Sequence, residues 1–270
     1  MEQQTTVAKL KKFLSLYWAF FKLSLITDLE FRVNFVIRVF NDVIWYIAQI
    51  LTFEVIYKHT SQIGDWNLEQ TRVFLGVLFV VDGLYMLFIH ENIETFPEKV
   101  SRGDLDLLLL KPVNSQFLLS CQRFVTPALA NLMMGIGWLT WSLSQVSHFS
   151  WVGFGLFLLM IPSSVLVIYS MRFLFAATSV ILTKSENIQY LWFSLYRLGT
   201  RPDTIFTNPW RLMILTILPM GVVASVPSRL LFNQAEWFVV LWALCVGPIL
   251  LFLSTIFWKY CLTKYQSASS

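Results

Sequence analysis

The chain alternates between long uncharged apolar runs and short polar breaks. Nothing between Arg123 and Arg172 is charged, and the polar residues 144–150 divide that tract into apolar segments at about 124–143 and 151–171, the arms of a hairpin. A helix needs roughly 20 apolar residues to cross a hydrocarbon core of about 30 Å, so both arms are long enough to be spans. Residues 237–258 form another uncharged run, and 73–89 form one interrupted only by Asp82. A run at about 39–57 has Asn41, Asp42 and Glu54 near its ends. Residues 212–228 carry Pro219 and Pro227 and sit at the short limit, so they either span thinly or turn back as a re-entrant element. The pattern predicts a single all-α integral membrane domain over 1–270 with six transmembrane helices.

Before the first span, residues 1–34 are predicted to hold a basic amphipathic helix. Leu10, Leu14, Tyr17, Phe21 and Leu25 fall on one helical stripe, with Lys11 and Lys22 on another, as in helices that lie in the membrane interface. The competing expectation is a helix packed on the bundle. Residues 182–211 are aromatic, mildly basic and broken by Gly199, Pro202 and Pro209. They read as an interfacial helix at about 185–198 and a loop leading into the fifth span.

Composition agrees with membrane residence. Of 270 residues 56% are hydrophobic and only 13% charged, against about 25% in soluble chains. The mean hydropathy is +0.63. A soluble enzyme, a nucleic-acid-binding domain and a disordered chain are thereby disfavoured. The net charge of +4 is explained by sidedness: with a cytoplasmic N-terminus, seventeen Lys and Arg fall inside and only Lys58, Arg72 and Arg229 outside. Both termini are therefore expected in the cytoplasm, and no nucleic-acid partner is implied. Trp66, Trp151 and Trp237 are expected at the outer interface, Trp210 and Trp258 at the inner one. Cys121, Cys245 and Cys261 form no CxxC and read as buried or membrane-embedded thiols, and Lys9, Lys11, Lys12 and Lys22 interrupt any cleaved signal sequence.

One polar loop is unusually long. Residues 90–118, between the second and third spans, are charged up to Pro97, turn at Arg102-Gly103, and return through a leucine run ended by Lys111-Pro112. Glu91, Glu94 and Glu98 recur at helical spacing, which aligns three acids on a short helix. Asp104 and Asp106, beside Gly103, suit the start of a helix. A membrane protein with so compact a charged elbow is equipped to touch a partner.

The run Arg102-Gly103-Asp104-Leu105-Asp106-Leu107-Leu108-Leu109-Leu110-Lys111-Pro112 resembles the signature of the type-2 ABC transporter permease family, the six-span membrane subunits of ABC exporters. The amphipathic N-terminal helix, the elbow between spans two and three and the Pro-containing stretch before the last span are similar too. The resemblance implies a type-2 exporter-like fold in the plasma membrane, most naturally a bacterial inner membrane. It implies two permease subunits, identical or related, surrounded by lipid, and a separate ATPase dimer docked beneath the elbow. Residues 92–102 would then form the coupling helix, with Glu91, Glu94, Pro97, Glu98, Arg102, Gly103, Asp104, Asp106, Lys111 and Pro112 as coupling residues. Glu94, Glu98 and Arg102 are the expected direct contacts. ATP and Mg would sit on the partner, with no cofactor on this chain, and the substrate would be amphipathic, lipid-like, drug-like or a glycan.

The chain has no phosphate-binding G-x-x-x-x-G-K-[ST] loop, and His59, His90 and His148 are isolated, so neither nucleotide nor metal binding is readable. Asp82 is an acid near the middle of a span, which makes it either a pathway group or a hydrogen-bonded packing residue beside Gly83. Glu54 and Arg172 lie near span ends, where snorkelling would account for them. The alternatives to a permease are an ion-coupled carrier or channel centred on Asp82, and a membrane-embedded transferase using the acids of 90–106.

Overall fold

The structure, a computed structural model, describes residues 2–146, 149–182, 186–232 and 234–265. His148 and the side chains of Leu10, Lys11 and Leu14 lie outside the described residues. No β-strand occurs among the described residues. The N-terminal helix α1 (Glu2–Glu30) is followed by α2 (Arg32–Tyr57) and by α3 (Leu68–Tyr85). A capping box starts α3: the Asn67 side chain accepts from the Gln70 N–H and the Gln70 side chain from the Asn67 N–H.

Helix α3 continues through a π-helical turn, Met86–His90, into α4 (Glu91–Glu94). It breaks at Thr95 and resumes as α5 (Phe96–Ser101), then α6 (Asp104–Leu109) and α7 (Ser115–Cys121). These short helices are the elbow. Beyond it come α8 (Ala128–Ser144), α9 (Trp151–Ala177), α10 (Glu186–Gly199), α11 (Trp210–Thr216), α12 (Gly221–Leu231) and α13 (Trp237–Lys264).

Four helical runs are long and apolar enough to cross a membrane: Arg32–Tyr57, Leu68–Ser101, Trp151–Val180 and Trp237–Lys264. The bent pair α11 and α12, at 93°, makes a fifth if counted as one. Helix α8 has 17 residues, about 25 Å of rise, just under a hydrocarbon thickness. It lies against α3 at small residues: a Cβ on Gly76 would fall 2.8 Å from the Leu139 Cα, and one on Gly135 2.9 Å from the Phe79 carbonyl carbon. Only glycine permits that approach.

The main core joins α3, α9, α12 and α13, and Val73, Phe74, Val77, Leu78 and Val81 of α3 are buried in it. A second core forms at the elbow end, where Ile93, Phe96, Leu105 and Leu108 meet Phe173 of α9 and Trp258 and Cys261 of α13. Both terminal helices reach that end of the bundle. Helix α13 finishes in this second core, and α1 docks on the segment before α8, where Tyr17 and Phe21 pack edge-on against Phe124. The Phe124 N–H donates to Ser24, and Thr126 donates twice to Asp28. The stripe of Tyr17, Phe21 and Leu25 thus faces the protein, as in the second expectation for α1. Trp18, Leu23 and Ile26 form an exposed apolar surface besides.

Two expectations need correction, and one that was open is narrowed. Residues 182–211 do not lie along one end of the bundle. Trp192 of α10 packs on Phe175 with Arg172 over its ring, Tyr196 donates to Asp82, and Thr204 donates to Asp65 in the α2–α3 loop. Helix α10 and its continuation therefore climb beside α3 from the elbow end to the opposite end, which moves Arg201 and Arg211 away from the elbow side. For residues 212–228, where a thin span and a re-entrant turn were both open, the contacts match the turn. Arg211, at the start of α11, and Arg229, in the last turn of α12, both donate to the Asp203 carboxylate, at 2.8 and 3.0 Å, so the two ends of the bent pair meet. Among the tryptophans, Trp151 and Trp237 are exposed, and Trp66 in the α2–α3 loop and Trp258 in the elbow-end core lie toward the expected ends although both are buried, but Trp210 lies with Arg211 at the end away from the elbow, opposite to the expectation.

Candidate functional site

The elbow is built around a left-handed turn. Gly103 has φ of 81°, a conformation open to glycine without strain, and it reverses the chain between α5 and α6. Asp104 and Asp106 occupy the first turn of α6, where acids complement the helix dipole, but neither side chain caps the helix. The leucine run is split by helical geometry. Leu105 and Leu108 are buried in the second core, whereas Leu107 and Leu110 face out. Pro97 lies in the first turn of α5, where it has no intrahelical donor to lose. Lys111 and Pro112 form the exposed bend into α7.

The three aligned acids separate, because the helix breaks at Thr95. Glu91 takes Arg38 of α2 at 3.1 Å and Arg123 at 3.3 Å. Glu94 turns inward and accepts from Arg172 of α9. Glu98 pairs with Arg102 at 2.5 Å on the surface. Arg172 is 1% exposed, so it is buried in an ion pair and does not snorkel. Asn92 closes the elbow: its amide donates to the Arg123 carbonyl at 2.6 Å and accepts from the Arg123 N–H at 2.8 Å.

A polar cleft of about 370 Å³ opens on the elbow surface, lined by Glu91, Thr95, Glu98, Lys99, Arg102 and Asp104 among others. It gathers four of the expected coupling residues, Glu91, Glu98, Arg102 and Asp104. Glu94, Asp106, Lys111 and Pro112 are not in its lining. The anchoring roles of Arg38, Asn92, Arg123 and Arg172 carry no sequence signature, since each depends on a partner far away along the chain.

A second, larger cavity of about 1050 Å³ lies between α2, α3, α8 and α10. Asp82 forms part of its wall, held by the Tyr196 hydroxyl, and Asp42 another part, held by Asn131 at 2.5 Å. Tyr46 stacks on Phe79 with ring centroids 4.1 Å apart, fixing α2 to α3. Arg197 enters from α10 and Thr200 and Arg201 from the segment just after it, with Trp45, Phe53, Phe193 and Ile205 as apolar surface. Sequence reading found only Asp82 here.

At the end away from the elbow, Asp65 receives Arg229 at 2.6 and 3.0 Å and Thr204 at 2.7 Å. Burial alone would push the Asp65 carboxyl up, but hydrogen bonds from Arg229 and Thr204 outweigh it and hold the group below the ordinary carboxylate range. Glu54 pairs bidentately with Arg72 at 2.5 and 2.9 Å, so it too is paired and does not snorkel. No group of three or more metal-ligating side chains occurs among the described residues.

A family model described as ABC-2 family transporter protein matches residues 43–269. No curated protein and no solved structure matches the chain.

Proposed function

The chain belongs to the ABC-2 transporter family, and from that premise we propose that it is the permease subunit of an ATP-driven exporter. Two copies, or this chain and a related one, surround a path for an amphipathic, lipid-like, drug-like or glycan substrate, and a separate ATPase dimer carrying ATP and Mg docks on the elbow. The elbow end faces the cytoplasm with both termini. Helices α2, α3, α8, α9, α10 and α13 make six crossings, and α11 and α12 dip in from the outer side and return.

The observation that carries this reading is the mechanical continuity of the elbow. A partner that grips the cleft at Glu98 and Arg102 grips α5, which continues α3 with one break at Thr95. Glu94 and Arg172 tie that segment to α9, and the second core ties it to α13. Displacement of the elbow then moves α3, and Asp82 on α3 holds Tyr196 on α10. Motion at the docking cleft thus reaches a wall of the larger cavity through packed elements, as alternating access requires. The same cavity, open between α2 and α10, is the proposed substrate path.

The experiment is co-purification with candidate ATPases, followed by ATP turnover with Glu98→Ala and Arg102→Ala. Coupled turnover that falls in both variants is expected; absence of any ATPase association would sink the reading. The ion-coupled carrier retains one observation in its favour, the burial of Asp82 at the cavity wall. Asp82→Asn separates the two, because the amide oxygen still accepts from Tyr196 and keeps the link to α10, so an ATP-driven permease retains ATP-dependent transport, whereas a carrier loses the carboxylate that binds its ion and with it transport.

A further inference from the structure

Most arginines along the bundle have a carboxylate: Arg38 has Glu91, Arg72 has Glu54, Arg172 has Glu94, and Arg229 has Asp65 and Asp203. Arg197 and Arg201 differ. They stand four positions apart, the first on α10 and the second two residues past its end. Both are exposed, both line the 1050 Å³ cavity, and neither has an ion-pair or hydrogen-bond partner for its guanidinium among the described residues. The two acids of the cavity do not serve them. Asp82 is taken by Tyr196, and Asp42 by Asn131 in the first turn of α8, toward the elbow end. Arg201 lies toward the other end, two residues before Asp203.

Guanidinium groups that line a cavity without a carboxylate partner are equipped to receive an anion. Two guanidinium groups lining one cavity offer several N–H donors, which suit the oxygens of a phosphate or sulfate. Around them the wall is apolar and aromatic: Trp45, Phe53, Ile56, Ile63, Phe193 and Ile205. The volume matches the upper range of small-molecule sites, enough for a headgroup with a stretch of hydrocarbon.

We propose that Arg197 and Arg201 bind the phosphate- or sulfate-type headgroup of an anionic amphiphile whose apolar chain lies on the aromatic wall of this cavity. The inference rests on the reading of the cavity as the substrate path and narrows the substrate class to anions.

The test uses the full chain in nanodiscs of zwitterionic lipid, without ATPase or ATP, and measures binding of radiolabelled dodecyl phosphate. Competitors are dodecyltrimethylammonium, dodecyl maltoside and inorganic phosphate. Saturable binding displaced by none of these at equal concentration is expected, weakened about tenfold or more in Arg197→Gln and in Arg201→Gln. Lys259→Gln, an exposed charge on α13, a helix that contributes nothing to the cavity wall, should bind as the parent does. Equal competition by the cationic or uncharged amphiphile overturns the proposal, and equal competition by inorganic phosphate overturns it as an amphiphile site. Unchanged binding in both arginine variants, with a shift from dimer to monomer by light scattering, would assign the arginines to a second copy's acids and also overturn it. Because no ATPase is present, failure here leaves the exporter reading standing, and failure of ATPase association leaves this site standing.

Discussion

Replacing Glu94 takes a carboxylate from a guanidinium that is 1% exposed, and a charge left in such a place is expensive. Glu94 itself is 35% exposed, which screens part of the pair, so Glu94→Ala is expected to cost about 3 kcal/mol, the low end for a broken buried pair. Glu98→Ala removes only a surface i,i+4 pair worth roughly 0.3–0.5 kcal/mol. Thermal unfolding of the detergent-solubilised chain should therefore separate two residues that look alike in sequence; equal melting temperatures would refute the inward role of Glu94. At the other end, Asp65 has a lowered carboxyl pKa, so its contribution is complete above the unfolded value and fades as pH falls through the folded one. The stability gap between the parent and Asp65→Asn should be full at neutral pH and shrink below about pH 4, where carboxylates protonate. A gap that stays constant into strong acid would contradict the Arg229 and Thr204 contacts.

Among the elements, the leucine run of α6 shows how a short helix sorts identical side chains. Leu105 is fully buried and Leu110 is 81% exposed, although both belong to one apolar stretch. Leu105→Ala should cost about 2–5 kcal/mol through the cavity it leaves in the second core, and Leu107→Ala less than about 0.5. Urea or thermal titration of the two variants checks this, and similar losses would mean that the run packs as a whole against something outside the chain. The run and its turn at Gly103 were legible in sequence because glycine and leucine spacing are local signals. The course of α10 beside α3 was not legible. Arg197 within it and Arg201 just past its end, together with Gly199 and Pro202, are marks of an interfacial segment, and the cavity that both arginines line is formed only by packing.

For the whole molecule, the contacts order the ends of the helices, and labelling can test that order. In a cysteine-free background, single cysteines at Lys111 and Leu182 should react from one side of a sealed vesicle, and those at Lys58 and Thr207 from the other. Reaction of Thr207 from the Lys111 side would return 182–211 to the interface. Large apolar residues remain exposed along α2 and α13, including Val33, Phe40, Leu51, Phe238 and Phe252, surfaces for lipid or a second subunit. By itself the sequence determined the all-helical membrane class, most of the apolar spans and the place of the elbow, because a hydrocarbon core imposes length and polarity on consecutive residues. Only the tertiary structure decided which charges are structural and which are open. Glu94 and Arg172 stand 78 positions apart and Tyr196 and Asp82 114, and pairings at such distances follow from packing, which leaves no periodic trace in the chain.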